Sequence, residues 1–283
     1  MNDYLLSLVL GVIEGLTEFL PVSSTAHLRI AEALLGVNLE DGYWKMFSIV
    51  IQLGAILCLP ILFWQRITEF FRTFPVGKRG DRTALTHPLT LTLLAFVCTA
   101  GPAFLLKKVI GKNLENVLLM GAALVIGGIV MWIVDAVCAS RGETKDVEQI
   151  GFGQAVWIGI CQILSAVVPG TSRSMITIAA GQVAGLTRSA ALEFSFLLSI
   201  PTMAAATGYD LLKFLKPSHG DPPPHIDSHG WVVLAIGFVV SFFVAWGVVA
   251  WFMQWVRSRG FVPFAIYRIV AGAGVIAWAL SNR

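Results

Sequence analysis

Two carboxylates, Glu14 and Glu18, lie inside an apolar stretch near the start of the sequence. They are four residues apart, so a helix would place them on one face, close enough to repel each other. Two charged carboxylates in apolar surroundings are costly unless they share a proton, hold a cation or face water. Mg²⁺ commonly takes one or two carboxylates and completes its coordination with phosphate oxygens and water. The pair therefore predicts a cation site, against the alternative of a surface helix with two solvated glutamates.

Hydroxyl side chains follow this pair directly. Pro21 is expected to end the helix, and Ser23, Ser24 and Thr25 come where a new helix would begin. Helix capping explains one hydroxyl, whereas free N–H groups at a helix N-terminus, together with several hydroxyls, form an anion site. His27 follows Ser24 by one helical turn, within reach of it. The pattern predicts phosphate binding by these hydroxyls and a base or nucleophile at His27, which could equally be a hydrogen-bonded core histidine.

A second apolar stretch ends in the same way, with the sequence PGTSRS at 169–174. Proline followed by glycine permits a tight turn. The guanidinium of Arg173 could hold two phosphate oxygens at once; the alternative is an arginine that reaches the membrane interface. We expect Ser172, Ser174 and Thr177 to add hydroxyls to the same phosphate site, so the two stretches are predicted to face each other.

Composition places these motifs in a membrane. The chain has 283 residues, of which 56% are hydrophobic and 13% charged, and its mean hydropathy is +0.77. A soluble domain of this length could not cover so much apolar surface, which predicts an all-α integral membrane protein, a polytopic helix bundle. The net charge of +3 gives no support for nucleic-acid binding. The four cysteines lie in apolar runs without a CxxC pair, which favours neither disulfides nor a metal site.

Apolar runs of two lengths alternate along the chain. Residues 4–20 and 150–167 are short, and each is followed by a polar turn and a further short helix, at 24–36 and 172–185. This pattern predicts two broken, re-entrant helix pairs. Six runs are long enough to span a bilayer: 43–64, 87–106, 115–138, 190–212, 231–256 and 262–281.

The order of these elements repeats. An offset of 148 aligns Ser24 with Ser172. We predict a single membrane domain, 1–283, made of repeat one (1–147) and repeat two (148–283), each a broken pair followed by three spans. Because three is odd, the second repeat is predicted to insert upside down, which is an inverted-topology arrangement.

Basic residues in the loops predict the orientation. The loop 65–86 carries Arg66, Arg72, Lys78, Arg79 and Arg82, which indicates the cytoplasmic side. Alternation from this loop places the first broken pair at the outer face.

Four polar residues lie within or at the ends of the spans: Gln52, Glu193, Asp210 and Arg268. Structural roles are expected for all four. Arg268 and Glu193 could pair or reach the interface.

Four segments read EGLTEFLPVSSTAH at 14–27, PGTSRS at 169–174, EFSFLLSIP at 193–201 and FVPFAIYRIVAG at 261–272. Together, in this order and spacing, they resemble the bacterial undecaprenyl-diphosphatase family, also known as bacitracin-resistance proteins. The resemblance covers nearly the whole chain. It implies hydrolysis of undecaprenyl diphosphate to the monophosphate, which recycles the lipid carrier of peptidoglycan synthesis and so serves cell-wall biogenesis, cell shape and bacitracin resistance.

The resemblance also assigns the site. The family's motifs fall on residues named above: Glu14 and Glu18 for Mg²⁺ or Ca²⁺, Ser24 and His27, and then Ser172, Arg173, Ser174 and Thr177. It implies a multi-pass protein of the bacterial cytoplasmic (inner) membrane, with an active site facing the periplasm. The implied partners are the lipid substrate and membrane lipids, with no nucleic acid, and a homodimer is a candidate assembly. Two departures are Met175, where many relatives carry glycine, and Arg29, in a segment that is usually apolar.

The expected mechanism is metal-assisted phosphoryl transfer. The acceptor is Ser24 activated by His27, His27 itself, or a metal-activated water. The alternative is a secondary transporter or lipid flippase, because inverted repeats with broken helices are also typical of transporters. Anion transport does not need paired glutamates, a Ser/His cluster and an opposing arginine, so hydrolysis is favoured, and hydrolysis followed by flipping stays open.

Overall fold

The computed structural model describes residues 2–38, 42–106, 116–215 and 226–281. Within these ranges every secondary-structure element is a helix. Strand-like pairing is limited to an isolated bridge between Thr144 and Leu186. The predicted all-α class is confirmed. The α-helices, in chain order, are α1 (Asp3–Thr17), α2 (Ser24–Leu34), α3 (Gly42–Leu62), α4 (Trp64–Thr73), α5 (Pro88–Leu105), α6 (Val117–Cys138), α7 (Phe152–Val167), α8 (Arg173–Val183), α9 (Arg188–Leu215), α10 (Ser228–Arg259) and α11 (Val262–Ser281).

Six of these helices are long and apolar enough to cross a bilayer: α3, α5, α6, α9, α10 and α11. They correspond to the six predicted spans, so the chain is a multi-pass membrane protein. The short helix α4 was not predicted. It follows α3 after a single residue, Phe63, and most of it lies in the segment 65–86, which was predicted to be a loop. Its mixture of aromatic and charged residues lacks the continuous apolar run by which the spans were found.

The two broken helix pairs are α1 with α2 and α7 with α8. The first helix ends at Thr17, before Pro21 is reached, because the chain turns at residues 18–22. Pro21 lies within the turn, so the prediction that Pro21 ends the helix is wrong. Each second helix has 11 residues and begins after a serine N-cap, Ser23 in one pair and Ser172 in the other.

The N-caps correct the predicted alignment of the two halves. They pair Ser23 with Ser172, an offset of 149, and not Ser24 with Ser172. The second turn has one more residue between its proline and its cap than the first. The repeat boundaries and the opposite insertion of the halves stay predictions.

Small residues let the helices that surround the broken pairs approach closely. Helix α10 packs along α1 and α3, and α11 packs along α6. A Cβ atom added at Gly15 of α1 would lie 2.8 Å from the carbonyl oxygen of Ser241 in α10. The Ser241 hydroxyl in turn donates to the carbonyl of Ile51 in α3, at 2.7 Å. Close approach with interhelical hydrogen bonds is the usual way in which membrane helices associate.

Glu193 forms ionic contacts at the end of the bundle that carries α4. Arg66 of α4 donates from Nε to Glu193 at 2.7 Å and from Nη2 to Asp146 at 2.8 Å. The suggested pairing of Glu193 with Arg268 is therefore wrong, since Arg66 takes that place. Glu193 has the structural role that was expected for it.

The predicted orientation can be tested by cysteine labelling. In a variant lacking the four native cysteines, Asn38→Cys is expected to react with a membrane-impermeant maleimide in intact cells. Arg79→Cys, in the basic loop, is expected to react only after permeabilisation. Both positions are exposed in the structure. Labelling of both from the same side would contradict the topology.

Candidate active site

A cavity of about 230 Å³ lies between the turns of the two broken helix pairs, with α3 and α9 as further walls. The first turn lines it with Ser23, Ser24 and Thr25, and the second turn with Ser172 and Arg173. The two motifs that were predicted to face each other are therefore brought together. Helices α2 and α8 both begin at this cavity, so two helix N-termini supply partial positive charge to one space.

The two N-caps share an uncommon backbone conformation. Ser23 has φ of 75° and Ser172 has φ of 71°. Their hydroxyls accept hydrogen bonds from the backbone N–H groups of Ala26, at 3.5 Å, and Met175, at 3.3 Å. A non-glycine residue at positive φ costs on the order of 1–3 kcal/mol, and such strain clusters at functional sites.

Gly170, in the second turn, is also held at positive φ, +89°. A Cβ atom there would lie 2.6 Å from the carbonyl oxygen of Met120. Both the conformation and the close approach require glycine at this position.

The carboxylate of Glu18 joins the two turns. It accepts a hydrogen bond from the Ser24 hydroxyl on Oε2, at 2.5 Å, and another from Arg173 Nη2 on Oε1, at 3.0 Å. The side chains of Glu18 and Arg173 are 5% and 13% exposed, so water screens this ion pair little. A short bond from a hydroxyl to a carboxylate is the arrangement in which a general base activates a nucleophile.

Arg173 has one terminal nitrogen with no recorded partner among the described residues. Its Nη2 also lies 2.9 Å from Met203 Sδ, and its guanidinium lies 5.9 Å from the centre of the Phe19 ring. Its Nη1 is buried and has no partner among the described residues. Arg173 lines the cavity, so its guanidinium is placed beside any anion bound there.

His27 does not contact Ser24, contrary to the expectation from their spacing. Its Nδ1 lies 2.8 Å from the Ser23 carbonyl oxygen, which can only accept, so Nδ1 carries the proton and donates. Its Nε2 lies 2.7 Å from the Tyr267 hydroxyl and accepts from it. The two rings are stacked, with centroids 5.6 Å apart. Both nitrogens of the imidazole are thus engaged away from Ser24, whose hydroxyl donates to Glu18.

Two further predicted phosphate ligands do not line the cavity. Ser174 donates to the carbonyl of Leu20 in the first turn, at 2.9 Å. The Thr177 hydroxyl lies 3.0 Å from the Arg173 carbonyl and 2.6 Å from the Ser195 hydroxyl. These contacts tie the second turn to the first turn and to α9, so the two hydroxyls position the site.

Glu14 is completely buried, and no donor to either of its carboxylate oxygens is recorded among the described residues. Its carboxyl group adjoins that of Glu18, and Glu32 and Arg173 are the next charged groups to act on it. Orphaned carboxylate oxygens beside a second carboxylate suit a hard cation such as Mg²⁺ or Ca²⁺. No group of three or more His, Cys, Asp or Glu side chains that could hold a metal occurs in the described part of the chain. The two adjoining carboxyl groups, Glu14 and Glu18, would fit a cation that takes its other ligands from substrate and water.

Glu14 faces a second polar space of about 290 Å³ on the other side of Ser24 and Thr25. Gln52 lines both spaces. Glu32 of α2 also lines the second space and accepts from the Ser48 hydroxyl, at 2.7 Å. The structural role expected for Gln52 stays a prediction.

Tyr267 is a neighbour of the predicted site that carries no sequence signal of its own. It lies in the segment FVPFAIYRIVAG and contacts the site only through His27. Of the two departures from the family, Arg29 pairs with Glu32, at 3.2 Å, and Met175 is buried beneath the second turn.

The chain is thus a multi-pass helical membrane protein in which the two turns, Glu18 with its Ser24 hydrogen bond, and Arg173 meet at one cavity. The family model described as "Bacitracin resistance protein BacA" matches residues 7–274, and the chain belongs to this family.

Three relatives, each named undecaprenyl-diphosphatase, match along the chain. The protein of Koribacter versatilis is 69% identical, and the match covers 100% of both chains. The protein of Rhizobium etli is 40% identical over 99% of this chain and 98% of its own. The protein of Thermus thermophilus is 41% identical over 94% of each chain.

Proposed function

We propose that this protein hydrolyses undecaprenyl diphosphate to undecaprenyl phosphate and orthophosphate. The names of the relatives support the substrate. The observation that carries the chemistry is the 2.5 Å hydrogen bond from Ser24 to Glu18, at a cavity where two helix N-termini meet. A nucleophile, a proton acceptor and a set of anion donors are thus within one small space.

The first step transfers the terminal phosphoryl group to Ser24. The hydroxyl oxygen of Ser24 forms a bond to the terminal phosphorus, and the bond from that phosphorus to the bridging oxygen breaks. The proton of Ser24 goes to Glu18, and undecaprenyl phosphate leaves with the bridging oxygen. Water then hydrolyses the phosphoserine and releases orthophosphate. Glu18 takes the role of base that the sequence analysis gave to His27.

Arg173 and the two turns hold the diphosphate. The guanidinium of Arg173 and the backbone N–H groups at the starts of α2 and α8 donate to its oxygens. These donors are fixed by the fold before substrate arrives, so they stabilise the charge of the transition state without reorganising. Ser23, Thr25 and Ser172, which line the cavity, add hydroxyls.

The proposed cation is Mg²⁺ or Ca²⁺, held by Glu14 and Glu18. When bound, it offsets charge on the phosphate oxygens. Its binding would also balance the buried Glu14 carboxylate, for which no donor is recorded among the described residues.

The proposed setting is the bacterial inner membrane, with the cavity open to the periplasm. Release of the monophosphate there returns the lipid carrier to peptidoglycan synthesis. Resistance to bacitracin is proposed to follow from the same reaction.

Phosphate release from undecaprenyl diphosphate by the purified protein in detergent tests this function. We expect orthophosphate to appear in the presence of Mg²⁺ or Ca²⁺, to stop with a chelator and to resume when the metal is restored. A folded protein that releases no phosphate under any of these conditions would favour the transporter or flippase alternative.

A further inference from the structure

Arg268 of α11 is completely buried and is the largest fully buried side chain of the described residues. No carboxylate pairs with it in that part of the chain. Its hydrogen bonds end on backbone carbonyl oxygens. A buried charge is costly unless it is well hydrogen-bonded, and an arginine without a counter-ion needs a reason to be there.

Three of the four carbonyls belong to the two turns. Nη1 of Arg268 donates to Pro21 in the first turn, at 3.1 Å. Nη2 lies 3.1 Å from the carbonyl oxygen of Gly170 and 3.0 Å from that of Thr171, in the second turn. It also lies 3.1 Å from the carbonyl oxygen of Ala123 in α6. One planar guanidinium therefore joins the residues that lead into both N-caps.

A neighbouring glycine, Gly127, leaves room for the guanidinium of Arg268. A Cβ atom at Gly127 of α6 would overlap Nη2 of Arg268. The guanidinium is thus confined between α6 and the turns, and it has little freedom to follow one turn without the other.

We infer that Arg268 is a positioning residue that couples the two turns, so that both hold one diphosphate together. This inference rests on the proposed function. Ser24 lies on the first turn's helix and Arg173 on the second's, and both line the cavity. Their separation is fixed partly through Arg268, behind the cavity. A ligand with two phosphate groups gains from this coupling, whereas a ligand held by one turn does not.

The test compares two anions in binding to Arg268→Lys. Lysine keeps the charge but loses the planar fork that reaches both turns. The probes are methylenediphosphonate, which is not hydrolysed, and orthophosphate. Their affinities are read from the rise in the thermal unfolding midpoint of the detergent-solubilised protein. We expect the affinity for methylenediphosphonate to fall about tenfold, or about 1.4 kcal/mol. The affinity for orthophosphate is expected to change by less than about threefold.

The matched control is Arg188→Lys. Arg188 also forms a fork, with Asp135 at 2.7 and 2.8 Å, but it does not line the cavity. Its replacement is expected to lower the unfolding midpoint and to leave the ratio of the two affinities unchanged. An unchanged ratio of the two affinities in Arg268→Lys, whether both fall equally or neither falls, would overturn the inference.

A second variant covers the case in which Arg268→Lys does not fold. Gly127→Ala keeps the arginine and displaces its guanidinium, and the same change in the ratio is expected. An unchanged ratio in Gly127→Ala would count against the coupling. A wild-type protein that binds methylenediphosphonate but hydrolyses no lipid would instead contradict the proposed function.

Discussion

Glu18→Gln is expected to lower the rate of undecaprenyl diphosphate hydrolysis by about 10²–10⁴-fold, the range for loss of a general base. The Glu18 carboxylate is the only acceptor recorded for the Ser24 hydroxyl in the described residues, and it also anchors Arg173. Glutamine keeps the size of the side chain but takes up no proton and carries no charge to pair with arginine. The measurement is kcat and KM for phosphate release by protein of equal purity and folded content.

The control for this loss is Glu69→Gln. Glu69 is also an ion-pair partner, of Lys78 at 2.7 Å and Arg66 at 3.7 Å, but it lies on α4, away from the cavity. Its removal is expected to leave kcat within about twofold, because ion pairs this exposed contribute little. Activity near that of the wild type in Glu18→Gln would remove Glu18 from the mechanism.

Ser24→Ala is expected to lose nearly all hydrolysis, because it removes the proposed nucleophile. His27→Ala is expected to keep the rate within about tenfold, less than the loss typical of a general base. Its two nitrogens contact Ser23 and Tyr267 and not Ser24. The readout is kcat for the two variants, measured beside the wild type.

Tyr267→Phe is the matched variant for His27. It removes the hydroxyl that donates to Nε2 and keeps the stacked ring. A role of His27 in holding α2 predicts a similar small decrease in both variants. A loss in His27→Ala as complete as that in Ser24→Ala would restore His27 as base or nucleophile.

The long helices were predictable because each is a continuous apolar run. The broken pairs were predictable because each joins a short run to a proline and a group of small polar residues. The placement of the two motifs at one cavity was predictable because the repeated order of elements indicated that the two turns face each other. Spacing along the chain was enough for these features because they depend on backbone path and hydropathy.

Side-chain direction was not predictable in the same way. A separation of three residues on a helix allowed Ser24 to reach His27, but it did not exclude a histidine that turns back to the Ser23 carbonyl and across to Tyr267. The partners of Arg268 are backbone carbonyls, which carry no sequence pattern. Nothing in the sequence could therefore distinguish a buried arginine between two turns from one that pairs with Glu193.

Attack of Ser24 on the diphosphate can be observed by trapping the phosphoenzyme. Undecaprenyl diphosphate labelled at its terminal phosphate is mixed with the protein and quenched rapidly, and the stability of the labelled protein is measured in acid and in base. We expect a phosphoserine, which survives acid, is lost in base and is absent from Ser24→Ala. A label that is lost in acid and survives in base would be a phosphohistidine and would exclude Ser24 as the nucleophile, as would hydrolysis at the normal rate by Ser24→Ala.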